Sequence, residues 1–247
     1  MTRSLPSPAT DTRFKESPMS EFAWRRAGVA AGAAGAVVYI VSAFTAGAPL
    51  KPDASVEKVV SHLSDKRSGV LVGVLLAVIA VALLIWFLGY LREFLAVQGG
   101  SPALANVTLA SWVALILVTI GGTVPLTAVV WRGAGQVDPG IVRLAFDASN
   151  LSLYAVSASA ALLSVLAPII VIWRSGALSR WLVVLGAIEI AANVVELAGL
   201  FTRTGPDAAG YAAGIGPFAW VVWVAAVSIA MVMQPPDSSG PPPATFS

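Results

Sequence analysis

The sequence predicts an all-α integral membrane bundle of six transmembrane helices with a short external amphipathic helix. Three observations carry that reading. Of 247 residues, 57% are hydrophobic and 11% charged, where a soluble domain carries about 25% charged residues. The charges cluster between long uncharged runs, and a membrane-crossing helix needs about 20 apolar residues. Trp24, Trp86, Trp112, Trp131, Trp173, Trp181, Trp220 and Trp223 fall near the ends of those runs, as an interfacial aromatic belt does.

Composition also excludes function classes. There are no cysteines, so disulfides, thiolate metal sites and cysteine nucleophiles are absent. A single histidine leaves no His-rich metal site, and a scattered net charge of +2 does not make a nucleic-acid surface. The sequence has no H-E-x-x-H, no G-x-S-x-G and no phosphate loop ending in Gly-Lys-Ser/Thr. No catalytic residue, metal ligand or cofactor is expected.

Residues 1–23 mix Ser, Pro, Thr and charge, and are expected to form a disordered tail. The membrane domain covers 24–234, with spans at about 27–48, 68–91, 106–131, 148–173, 181–202 and 214–233. The first span follows Arg25 and Arg26, and its Gly28-x-x-x-Gly32 spacing, with Ala31 and Gly35, offers a small-residue face for close helix packing. A cleaved signal peptide is the rival reading, with Ala46-Gly47-Ala48 as its cleavage site; the length of the uncharged run favours a retained span.

Between the first two spans, Asp53 or Ser55 is placed to cap a helix beginning near Ala54. Val56, Val59, Val60 and Leu63 form one apolar stripe, with Glu57, Lys58, Ser61, His62 and Asp65 opposite. This helix is expected to lie on the membrane surface or cap the bundle, with His62 solvated on its polar face.

In the third span, Pro125 removes a backbone hydrogen bond from the carbonyl of Gly121, which predicts a kink near Gly121–Pro125. Thr119, Thr123 and Thr127 are the nearby hydroxyls able to satisfy freed groups. The fourth span opens with Arg143, Asp147, Asn150, Tyr154 and Ser157 on one stripe, and Arg143 and Asp147 are spaced to pair. Pro168 lies near its far end, and Pro217 suits the first turn of the sixth span. The Pro-rich tail at 235–247 cannot continue a helix.

The fifth span is the unusual one. Glu189, Asn193 and Glu196 recur at steps of four and three, so they share one helix face inside an apolar run. Carboxyls at membrane depth are costly and need a reason. Two accounts fit. In one, Glu196 pairs with Arg143 or Arg132, Asn193 bonds across to the fourth span, and the network holds the bundle together. In the other, the groups line an outward-open cavity for a proton, a cation or a small solute. Glu189 has no obvious cation at its level.

From Pro52 to Leu95 the chain reads PDASVEKVVSHLSDKRSGVLVGVLLAVIAVALLIWFLGYLREFL. A loop helix opened by Pro52, Asp53 and Ser55, then an apolar span ending in Leu-Arg, resembles uncharacterised multi-span integral membrane proteins of actinobacteria. The resemblance implies a similar architecture and no activity.

The expected role is that of a non-enzymatic multi-pass protein, a component of a membrane assembly. A small solute or proton-coupled transporter using Glu189 and Glu196 is the alternative, and an intramembrane enzyme comes third. Expected partners are membrane lipids and a membrane-protein partner or second copy, with no nucleic acid. Arg25, Arg26, Arg92, Arg174 and Arg180 flank the spans on one side, which places that side and both termini in the cytoplasm of the cell. A Ser61→Cys variant tests the orientation, since the chain has no other cysteine. An impermeant maleimide should label it in intact cells; labelling only after permeabilisation reverses the topology.

Overall fold

The structure, a computed structural model, describes residues 18–45, 47, 50–99, 101–198 and 209–234. These residues form eight α-helices and no strand: α1 (Pro18–Thr45), α2 (Val56–Asp65), α3 (Arg67–Gly99), α4 (Pro102–Arg132), α5 (Pro139–Leu151), α6 (Ser157–Ser175), α7 (Trp181–Ala198) and α8 (Ala209–Val232). Four stretches are long and apolar enough to cross a membrane: Ala23–Thr45, Arg67–Gln98, Pro102–Arg132 and Ser157–Ser175. Gly216–Val232 is a shorter apolar helical stretch. Residues 1–17, Arg203 and residues 235–247, with the tails expected there, lie outside the described residues.

Local signals set the boundaries. α1 is already helical at Pro18, the first described residue, ahead of the span expected from about 27. Pro102 opens α4 behind Ser101. Asp138 caps α5, its Oδ1 accepting from Gly140 N at 2.8 Å and Ile141 N at 3.3 Å, with Pro139 next in line. Gly176 closes α6 at φ 64°, a left-handed conformation that glycine adopts without a Cβ clash.

The six long elements form a ring in chain order. α1 packs on α3, α3 on α4, α4 on α6, α6 on α7, α7 on α8, and α8 returns to α1. The glycine face of α1 makes the first contact. A side chain at Gly28 would collide with the Tyr90 ring, and a Cβ at Gly32 would lie 2.7 Å from the Phe87 ring and 2.9 Å from Ser228 Cβ. Ser228 of α8 closes the ring by donating to Val29 O at 2.6 Å and accepting from Ala33 N at 2.9 Å.

Three tryptophans depart from the expected belt. Trp112, Trp220 and Trp223 are buried in the core, whereas Trp24, Trp131, Trp173 and Trp181 stay more than half exposed. The buried indoles are tolerated because each N–H finds an acceptor. Trp112 Nε1 donates to Ser164 O at 3.2 Å, Trp220 Nε1 to Ser164 Oγ at 2.9 Å, and Trp223 Nε1 to Leu182 O at 3.1 Å.

The helix interiors hold prolines and one irregular turn. α4 stays α-helical through Pro125, with Thr127 donating to Thr123 O at 2.8 Å and Thr123 to Ile120 O at 2.9 Å. On the neighbouring element, residues Ser152–Val156 form a π-turn joining α5 to α6, and Gly122 of α4 packs so tightly there that a side chain would strike Ser152. Pro217 sits inside α8, which is already helical at Ala209, rather than in its first turn.

α2 caps one end of the ring, as its stripe predicts. Val59 and Leu63 are buried with Val129, Val130, Val142 and Phe146. Ser55 is its N-cap, accepting from Lys58 N at 3.4 Å. Exposed Glu57 in the first turn has its carboxyl held below the usual range, first by its own backbone N–H and then by the Ser55 hydroxyl.

The glycine face gives a direct test. Gly32→Leu should destabilise the fold by about 1–3 kcal/mol through overpacking, read as a lower melting temperature in detergent. Gly89→Leu, where an added Cβ meets nothing within 4 Å, should melt at or above the parent temperature.

Candidate functional site

The inward face of α7 carries the site. Gly186, Glu189, Asn193 and Glu196 recur at steps of three, four and three, so they form one row along the helix. Gly186 allows the close approach: a Cβ there would lie 2.6 Å from Ile169 and 2.9 Å from Trp223 Nε1. At the other end of the row, α8 presents Gly216, where any side chain would collide with Glu196 Oε2. Two glycines on two helices thus make room for side chains that the apolar composition around them would not predict.

The three polar residues are almost wholly enclosed, at 0% exposure for Glu189, 2% for Asn193 and 4% for Glu196. Asn193 Nδ2 donates to Glu189 O at 3.0 Å and to Glu189 Oε1 at 2.7 Å. Among the described residues, Glu189 Oε2 and Glu196 Oε1 are buried with no hydrogen-bond partner. Almost all buried polar atoms in proteins are satisfied, so two orphan oxygens in one row are exceptional. The row reads acid, amide, acid, with the carboxyls separated along the axis by about 10 Å at a rise of about 1.5 Å per residue.

Beside the row lies a cavity of about 60 Å³ at the centre of the ring. Every element of the ring contributes to its wall, among them Tyr39, Thr119, Ser157, Asn193, Pro217 and Trp220. Water occupies about 30 Å³ in the liquid, so the space suits about two molecules. The wall has hydroxyl, amide and indole groups, which a bound water needs. Ser157 already donates to Leu153 O at 2.5 Å and Trp220 to Ser164 Oγ at 2.9 Å, leaving Asn193 as the link from this space to the carboxyls.

The other polar residues expected in the cluster lie elsewhere. Arg143 pairs with Asp147 as the spacing predicts, Nη2 to Oδ1 at 2.8 Å and Nε to Oδ2 at 2.8 Å. Its remaining donors reach the loop before α2, Nη1 to Ala54 O at 2.6 Å and Nη2 to Pro52 O at 2.7 Å. The Arg143–Glu196 pair is therefore not formed: two backbone carbonyls and Asp147 use the guanidinium fork. Asn150 Nδ2 donates to Phe146 O at 2.9 Å on its own helix, not across to Asn193. The Tyr154 side chain lies outside the described residues. Pro125 is exposed on α4.

The sequence alone does not select Gly186, Gly216 or Tyr39, and it singles out Thr119 and Ser157 without joining them to this row. Gly186 was within reach, since it lies three residues before Glu189 on the same face. Gly216 and the wall depend on which helices become neighbours, which one-helix periodicity does not encode. Among the described residues no group of three or more His, Cys, Asp or Glu is placed to hold a metal ion. Comparison with family models, curated proteins and solved structures returns no match.

Arg143 should behave as a clamp on the α2 cap and not as part of the α7 row. Arg143→Ala is expected to cost about 1–2 kcal/mol, the scale of charge-assisted hydrogen bonds at a partly exposed site, and to speed amide exchange in α2. Arg143→Lys should not restore protection, because an ammonium lacks the planar fork. Unchanged α2 exchange in Arg143→Ala would refute the clamp.

Proposed function

We propose that this chain is a six-span integral protein of the cell membrane, with both termini cytoplasmic, that takes up and releases protons at Glu189 and Glu196 as a small proton-coupled carrier. The observation that carries the reading is the pair of enclosed carboxyls, each with an orphan oxygen and neither paired with a cation among the described residues. Ionisable side chains inside membrane spans mark proton relays and ion paths. The central cavity supports it further, because it brings space for water against Asn193.

The membrane reading rests on the outer surface. Large apolar side chains such as Val37, Phe44, Leu75, Leu117, Leu144 and Val184 point away from the ring and are about half exposed or more. A water-facing protein rarely presents so continuous an apolar surface. The four long helices supply four spans. In this reading α7, with its glutamates turned inward, and α8 supply the other two, and the π-turn joins α5 and α6 into one crossing element. The likeness to multi-span proteins of actinobacteria belongs to the same reading. An assembly component is the second reading, supported by the outward stripe of Val113, Leu117, Ile120 and Val124 on α4.

One experiment separates the two. The protein is reconstituted in lipid, and the infrared carbonyl stretch of protonated carboxyls is followed as the buffer is moved from acidic to alkaline. The carrier reading expects a titrating band that is reduced in Glu189→Gln and in Glu196→Gln, and a loss of solute-dependent growth across a substrate panel in cells carrying either variant. Normal folding with an unchanged band and unchanged growth in both variants would end it and leave the assembly role.

A further inference from the structure

A second and larger cavity, about 640 Å³, opens on the outer surface of the ring between α1, α8 and the turn joining α6 to α7. Its long walls are apolar, with Ala36, Val37 and Ile40 from α1 and Val222, Ala226 and Ile229 from α8. Polar groups occur at one end only. Ser179, the Trp181 indole and Gln234 gather at the α6–α7 turn. Gln234 is already spent there, its Nε2 donating to Ala177 O at 2.7 Å. Between Ser179 and Trp181 stands Arg180, exposed, its guanidinium 6.0 Å from the exposed Trp173 ring. Arg174 is exposed on the same turn.

We propose that this groove is a binding site for an anionic phospholipid, with one acyl chain between α1 and α8 and the phosphate at Arg180 and Ser179. The groove asks for an occupant that is apolar over most of its length and negatively charged at one end. The length fits. From Val221 to Met233 the α8 wall extends about 18 Å at a rise of about 1.5 Å per residue, close to one leaflet of a core about 30 Å thick. The end chemistry fits too. Exposed Trp173 and Trp181 stand at the level where indole rings meet headgroups, and a basic residue there draws an anionic headgroup. The volume lies within the about 300–1,000 Å³ of ordinary small-ligand pockets. This inference rests on the membrane placement proposed above but not on the proton chemistry of α7.

The test begins with alkali-washed membranes; recovery of the chain in the soluble fraction would remove the membrane placement itself, before any lipid is tried. Purified, delipidated full-length protein is then titrated with dioleoyl phosphatidylglycerol or dioleoyl phosphatidylcholine and read by native mass spectrometry. The expected result is one bound lipid, with phosphatidylglycerol favoured about fivefold, the worth of one basic residue at an anionic surface. Arg180→Gln, at an exposed position, should fold normally and bring phosphatidylglycerol down to the phosphatidylcholine level. Ala226→Trp should abolish both adducts by filling the groove, and Val222→Phe serves where that variant fails to fold. Arg92→Gln, on a different turn, should bind as the parent does. The proposal is overturned by equal binding of the two lipids to the parent, by preference persisting in Arg180→Gln, or by adducts surviving a folded groove-filling variant. It is also overturned if lipid binds only after residues 235–247 are removed, which would make the tail the occupant, or if a dimer forms in place of the lipid adduct.

Discussion

Closure of the ring is the constraint on which the rest depends. α1 must lie against α3 and α8 at once, and it does so with glycines at its closest contacts. Gly28 and Gly32 bring it onto Tyr90 and Phe87. Ser228 then occupies the space left beside Gly32 and bonds both the carbonyl of Val29 and the N–H of Ala33, the two ends of one helical rung. Packing and hydrogen bonding therefore act at the same point, between the first and last helices of the chain. Only a closed ring has a centre, and only a centre can enclose the α7 row.

Inside that centre the polar accounting is strict. The Trp112 and Trp220 N–H groups converge on Ser164, whose own hydroxyl donates to Ala161 O at 2.6 Å. Trp223 reaches the Leu182 carbonyl in the first turn of α7. Thr108 and Ser111 bond back to their own helix. Against this background the orphan oxygens of Glu189 and Glu196 stand out as a departure from local consistency, and such departures concentrate where a protein does something other than hold itself together.

Much of this was legible in the sequence, and the boundary of legibility has a physical cause. Helical periodicity fixes which residues share a face. It therefore placed Val59 and Leu63 on the buried side of α2, joined Arg143 to Asp147, and put Glu189, Asn193 and Glu196 in one row. It does not fix what that face meets. Arg143 found the carbonyls of Pro52 and Ala54, backbone acceptors that leave no trace in the pattern of side chains. Hydropathy was equally silent about Trp112, Trp220 and Trp223, because a helix apolar on every side gives no sign of which side turns inward. The π-turn was invisible for a related reason. It is the response of one helix to the close approach of Gly122 on another, and no residue in Ser152–Val156 announces it.

That π-turn has a consequence for how the molecule can vary. A hydrogen bond closed over five residues takes up one residue more than an α-turn does. The segments on either side are therefore in different rotational phase, offset by roughly the 100° that one residue contributes to an α-helix. α5 turns Arg143 and Asp147 toward the loop before α2, while α6 turns Ser157 and Ser164 toward the centre. The continuous α5–α6 segment thus serves two clients without forcing a shared face on them. Substitutions that remodel the outer cap are decoupled from the enclosed chamber as long as the extra residue remains.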